Sequence, residues 1–383
     1  VATSINVALS SEDTFKLNVM LHSGVDAVRI DESRMIVYAL SENSESRIEL
    51  RPNCKAEQYL KQVREILSGH VLGSPGGYPV FLKRWTRMGQ ARDQHLGDLL
   101  KLGEPEAVVA AANAPGLTND LARRAWWAEP TSDIARRMLA ATDVVAGDMG
   151  KALAQHLIEH LAFETEPQIM IDTVRLVLQP GLIDAPTRER LWAMGQRRNA
   201  YRVGFLQAVP DALPEATAAR ADLVEHEPVL ARLARGGNVL AGALLKAMAG
   251  SGQGFIHHTE AVLRKPANQD VVVILLNTIG AYFGAARRHE SGTHDIDTVI
   301  GETAALCAAA ERDAADTELT ELLQTAPQLR AEIESLLVLA RASDLWVTPI
   351  FARTTADGTL MRSKIEPVTT PIFARMAALR GRH

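Results

Sequence analysis

At 383 residues the chain exceeds what one ordinary hydrophobic core organises, so two or three units of roughly 100–200 residues are expected. Hydrophobic residues make up 47% and charged residues 23%, which excludes a disordered chain, and a net charge of -5 supplies no global attraction for nucleic acid. Aromatics are only 5%, whereas the helix formers alanine and leucine recur throughout, so helix is the expected state of most of the chain. Two cysteines, Cys54 and Cys307, cannot build a disulfide framework, and a reducing, cytoplasmic compartment is expected. Val1–Ser11 has neither a basic n-region nor an apolar h-region, so no secretory signal is expected there. The longest apolar run, Val271–Leu276, is far short of the roughly 18 residues that span a bilayer, and no membrane insertion is expected.

In chain order, Phe15, Leu17, Val19, Met20 and Leu21 predict a helix that starts near Ser11. Ala27–Ile30, Met35–Leu40 and Arg47–Arg51 predict three short strands, joined by polar turns into a meander. Asn53 is placed to cap a helix over 55–68, with Gly69 at its C-terminal end. Residues 71–79 carry two prolines and three glycines and predict a break, followed by the basic, aromatic stretch Phe81–Met88. From about residue 95, helices are predicted at 94–101, 104–113, 118–128, 131–141, 148–162, 166–178, 186–195 and 198–208, with Thr118 and Thr131 as caps. Helices continue through 222–345 with a more acidic character. In the tail, Thr348–Arg353 recurs as Thr370–Arg375, and proline in the first turn of a helix predicts two short helices there. The expected fold is mainly α: a small α+β N-terminal domain at 1–90 followed by an irregular, HEAT-like helical-repeat array. That array divides into a helical-repeat region at 91–215, an acidic helical region at 216–345 and a tail at 346–383.

Few motifs carry chemistry. His156-Leu-Ile-Glu-His160 has the order of inverted zinc peptidases, with Glu225 or Glu227 as conceivable third ligands. The pattern also suits an ordinary amphipathic helix, and neither metal nor cofactor is expected. Cys54 lies at a predicted helix start, where the helix dipole and Lys55 favour thiolate, which makes it a candidate reactive thiol. Gly73–Gly77 lacks the order of a phosphate loop, but Lys83, Arg84, Trp85 and Arg87 follow it as candidate binding residues for an anion or a partner. His257-His258 has no acidic or thiol companion nearby in sequence, Trp126-Trp127 reads as core plus rim, and Cys307, among alanines on a helix, reads as core.

Several stretches together resemble a known family: Ser11–Asp13 with the helix that follows, Arg29–Met35, Leu67–Pro79, Lys83–Gly89 and Leu102–Val108. They are similar to DsrS proteins, soluble accessory proteins encoded with the reverse dissimilatory sulfite reductase system of sulfur-oxidising bacteria. The resemblance is strongest over about 10–130 and weakens towards 210. It implies a helper or regulator in the cytoplasmic oxidation of stored sulfur, and it carries over no catalytic residue. The function expected is therefore non-enzymatic protein–protein interaction, with partners in the sulfur-oxidation machinery and no nucleic acid. The alternative is a sulfur carrier or anion-binding enzyme that uses Cys54 or the 73–87 loop.

Overall fold

The structure is a computed structural model and describes residues 9–42, 44–73, 96–288, 295–312 and 316–382. The chain is mainly helical, with a three-stranded antiparallel sheet near the N-terminus, and among the described residues every strand precedes residue 50. Two compact units divide it. The first comprises residues 1–162 with 180–182, and the second comprises 163–179 with 183–383.

In the first unit, helix α1 (Ser11–His22) precedes strands β1 (Ala27–Asp31), β2 (Ile36–Ser41) and β3 (Ser44–Glu49) and helix α2 (Ala56–Leu72). The strands pair in the order β1-β2-β3, with Ile30 opposite Val37 and Val37 opposite Ile48. This register sends Val28, Val37, Ala39 and Ile48 to one face, where they pack with Leu17, Tyr59, Val63 and Leu67. Asp13, buried on α1, accepts hydrogen bonds from the Tyr59 hydroxyl at 2.5 Å and the Arg51 backbone N–H at 2.9 Å, which ties α1 to α2 and to the end of the sheet.

Three expectations for this region are corrected. The third strand begins at Ser44 rather than Arg47, because the hairpin pairs Ser44 directly with Ser41. The cap position of α2 is Lys55, with no side-chain cap bond, rather than Asn53. Finally, α2 runs through Gly69 to Leu72. A glycine inside a helix costs only about 1 kcal/mol, whereas Gly73 stops the helix by taking a φ of 66°.

Among the described residues of the first unit, six helices follow: α3 (Leu96–Leu99), α4 (Pro105–Ala112), α5 (Asn119–Ala128), α6 (Ser132–Met138), α7 (Thr142–Ala146) and α8 (Asp148–His160). Thr118 and Thr131 cap α5 and α6 as their sequence context predicts, accepting from Leu121 N and Ile134 N.

The second unit contains α9 (Pro167–Val177), α10 (Ala185–Met194), α11 (Asn199–Ala208), α12 (Leu223–Arg235), α13 (Val239–Met248), α14 (Gly250–Arg264), α15 (Gln269–Tyr282) and α16 (Ile296–Ala310). It ends with α17 (Thr317–Thr325), α18 (Arg330–Leu339), α19 (Thr348–Phe351) and α20 (Gly358–Leu379). Helix α11 packs on α9, α14 and α15, which places it at the centre of this unit. The two copies of the tail repeat behave differently. Thr348–Arg353 opens the short α19, but Thr370–Arg375 lies inside α20, with Pro367 and Pro371 in the helix interior. Packing overrides the proline penalty there: Met361, Ile365, Val368, Ile372, Met376 and Leu379 recur at helical spacing and are buried, with α20 set against α18.

Among the described residues no single helix is long and apolar enough to cross a membrane. The apolar pair α13–α14 bends by 70°, and its Leu240, Leu244, Phe255 and Ile256 are buried within the unit.

Candidate functional site

A cleft of about 840 Å3 opens in the second unit. One wall is α14, which contributes His257, His258 and Val262, and the other is the turn 195–198 with the first turns of α11. Its lining is partly apolar, with buried Met170 and Val262, and its edge carries the exposed Arg197, Arg198 and Lys265. Two carboxylates, Glu164 and Glu215, also line it.

Arg202, on α11, is the inner cation. Its guanidinium carbon lies over the Trp192 ring, 3.7 Å from the ring centroid, and its side chain is only 11% exposed. The indole meets His258 edge to face at 4.8 Å and packs against Phe205. The aromatic face thus holds the guanidinium by a cation–π contact, which uses none of its N–H donors. A cation in this setting attracts acidic groups.

His258 is 5% exposed, and its Nδ1 lies 3.3 Å from Arg202 Nη1. Arginine only donates, so Nδ1 accepts and the neutral imidazole carries its proton on Nε2. Burial pushes the imidazole down to about 4, the neighbouring Arg202 and His257 charges act in the same direction, and Glu215 opposes them. At neutral pH His258 is therefore an uncharged donor. Among the described residues its Nε2 has no hydrogen-bond partner. Glu215 Oε2 stands 3.7 Å from both His258 Nε2 and Arg202 Nη1.

No protein family, curated protein or solved structure matches this chain.

The residues singled out in the sequence lie elsewhere. Lys83, Arg84, Trp85 and Arg87 fall outside the described residues. Cys54 is half-buried, packs against the core of the α+β head and directs its Sγ to the Lys55 carbonyl at 3.6 Å. His156 and His160 stack at 4.0 Å on α8, with His156 Nε2 3.2 Å from the Ser132 hydroxyl and its ring edge to face with Trp126. Among the described residues no group of three or more metal-ligating side chains gathers around them. Cys307 is fully buried, as its alanine-rich helix predicts, and burial pushes its thiol up to about 12. The side chains that face His258, Arg202 and Glu215, come from segments distant in sequence and are brought to it by the fold. The available signal was the dense run Arg197-Arg198 followed by Arg202, a cationic cluster at a helix start where charge complementarity favours anions.

Proposed function

We propose that this chain is a non-enzymatic accessory or regulatory protein that acts by protein–protein interaction, and that the second-unit cleft receives an acidic segment of its partner. The observation that carries this reading is the open cleft edged by Arg197, Arg198 and Lys265 with Arg202 at its inner end. An open, part-apolar channel suits an extended peptide, and its cationic edge selects acidic side chains. The resemblance to DsrS proteins supplies the setting, cytoplasmic dissimilatory sulfur oxidation, with a helical-repeat array as the binding scaffold.

The test is fluorescence anisotropy of the full chain with a labelled decapeptide of alternating glycine and glutamate. Saturable binding is expected, with no binding of the glycine–glutamine control. The double variant Arg197→Glu/Lys265→Glu should weaken it at least about tenfold, since it replaces attraction with like-charge repulsion. Equal binding of the neutral peptide, or indifference to charge reversal, would remove the cleft from the reading.

A further inference from the structure

Three side chains meet at the inner end of the cleft, and two of them are donors. The Arg202 guanidinium presents its N–H edge, and His258 presents Nε2–H because Nδ1 already accepts from Arg202 at 3.3 Å. The third, Glu215, places Oε2 3.7 Å from each donor, within ion-pair reach but too long for a hydrogen bond. Its side chain is 54% exposed, whereas His258 is 5% exposed and its Nε2 has no hydrogen-bond partner among the described residues. The loosely seated group is therefore the carboxylate, and the tightly fixed groups are the donors.

The chain bearing Glu215 is fixed on both sides. Residues 209–222 form a strap between α11 and α12. Before Glu215, Asp211 accepts from the Tyr282 hydroxyl at 2.8 Å and pairs with Lys246 at 2.7 Å. After it, the strap lies against a glycine face of α14: a Cβ on Gly250 would meet the Thr217 carbonyl at 2.5 Å, and one on Gly254 the Thr217 hydroxyl at 3.2 Å. Gly250, Gly254 and His258 share one helix face at four-residue spacing, so the strip that seats the strap leads directly to the imidazole. Arg220 N then donates to Met248 O at 2.9 Å. With the backbone pinned, Glu215 leaves the donors by side-chain rotation alone.

We propose that Arg202 and His258 form a subsite for one carboxylate of the ligand, and that Glu215 loosely covers this subsite in the free protein and is displaced when the ligand binds. The proposal rests on the cleft reading above for where the ligand lies. Glu215 itself marks the chemistry: a singly charged carboxylate faces one cation and one neutral donor. A phosphate dianion would bring a second charge that this partly desolvated pair does not compensate. The carboxylate can come from an acidic peptide side chain or from a small free acid.

The experiment is calorimetric titration of the full chain at pH 7 with the glycine–glutamate peptide, with glutarate and with inorganic phosphate. It uses wild type, Glu215→Gln, Arg202→Gln and the double variant. Glu215→Gln should bind the peptide about fivefold tighter, Arg202→Gln about tenfold weaker, and the double variant should lose the gain. Melting temperatures of wild type and Glu215→Gln should coincide, because the replaced side chain is largely exposed. In the imidazole 1H–15N spectrum of Glu215→Gln, the His258 Nε2 proton should shift on ligand addition. Peptide binding that is unchanged or weakened in Glu215→Gln overturns the displacement while leaving the cleft reading intact. Glutarate binding to Glu215→Gln with no peptide binding to any variant keeps the subsite and removes the peptide as ligand. Phosphate binding tighter than glutarate overturns the carboxylate assignment, and no binding of any probe overturns both.

Discussion

His258 links burial to acid sensitivity. Its folded value is pushed to about 4, chiefly by burial and then by Arg202, against 6.5 for an exposed imidazole, while Glu215 pulls the other way. Above pH 6.5 the residue is neutral both folded and unfolded. Between 6.5 and about 4 the unfolded chain takes up a proton that the folded protein refuses, so stability falls as pH drops through that window and levels off below it. The loss has an upper limit of roughly 3–4 kcal/mol. Urea unfolding at pH 7.0 and 4.5 should show it in the wild type and show a clearly smaller loss in His258→Gln, which keeps a side chain able to accept from Arg202. Equal losses in both proteins would remove His258 as the source. The sequence shows the pair His257-His258 but not its partners, because Arg202 is 56 residues away and Glu215 lies on a segment with no periodic pattern. Cys307 was legible, since a lone cysteine among alanines on a helix is core wherever that helix packs.

At the scale of elements, the strap depends on a buried ionic clamp. Arg220 Nη1 donates to Glu332 Oε1 on α18 at 2.9 Å and to the Ala378 carbonyl on α20 at 3.3 Å, while Nε donates to Asp222 at 2.6 Å. The side chains of Arg220 and Glu332 are 5% and 1% exposed. Removing one partner strands a buried charge, so Glu332→Leu should destabilise the protein by about 3 kcal/mol, the lower end of the range because Asp222 still holds Arg220. Adding Arg220→Met should recover much of that loss, which equilibrium unfolding of the two variants measures. No recovery would mean that the strap depends on arginine geometry rather than on charge balance. The helices themselves were legible where caps agree with the apolar pattern, as at Thr118 and Thr131. They were misread at Gly69 and at Pro371. Both residues tend to end a helix when judged locally, and both sit inside helices whose buried faces outweigh the local cost.

Over the whole molecule the net charge is -5, so an acidic ligand approaches against the average field. Attraction in the cleft is local, set by Arg197, Arg198, Arg202 and Lys265 against Glu164 and Glu215. Raising salt from 50 to 500 mM should therefore weaken binding of the glycine–glutamate peptide by roughly tenfold, because screening shortens the reach of the edge cations to a few ångströms. Affinity that rises with salt would mean that net repulsion dominates and that the cleft cations do not hold the peptide.

The division between what was readable and what was not follows the range of the forces. Composition, caps and 3.6-residue periodicity act within a few turns of chain, so the sequence alone determined a mainly helical protein with a small α+β head, whose strands, among the described residues, all lie near the N-terminus. The binding geometry is non-local. It needs the face of Trp192 on α10, the cation of Arg202 on α11, the strap carrying Glu215 and the glycine-lined face of α14 leading to His258. Only packing brings these four segments together and sets His258 Nε2 3.7 Å from the Glu215 carboxylate, and only the burial that packing creates keeps His258 neutral.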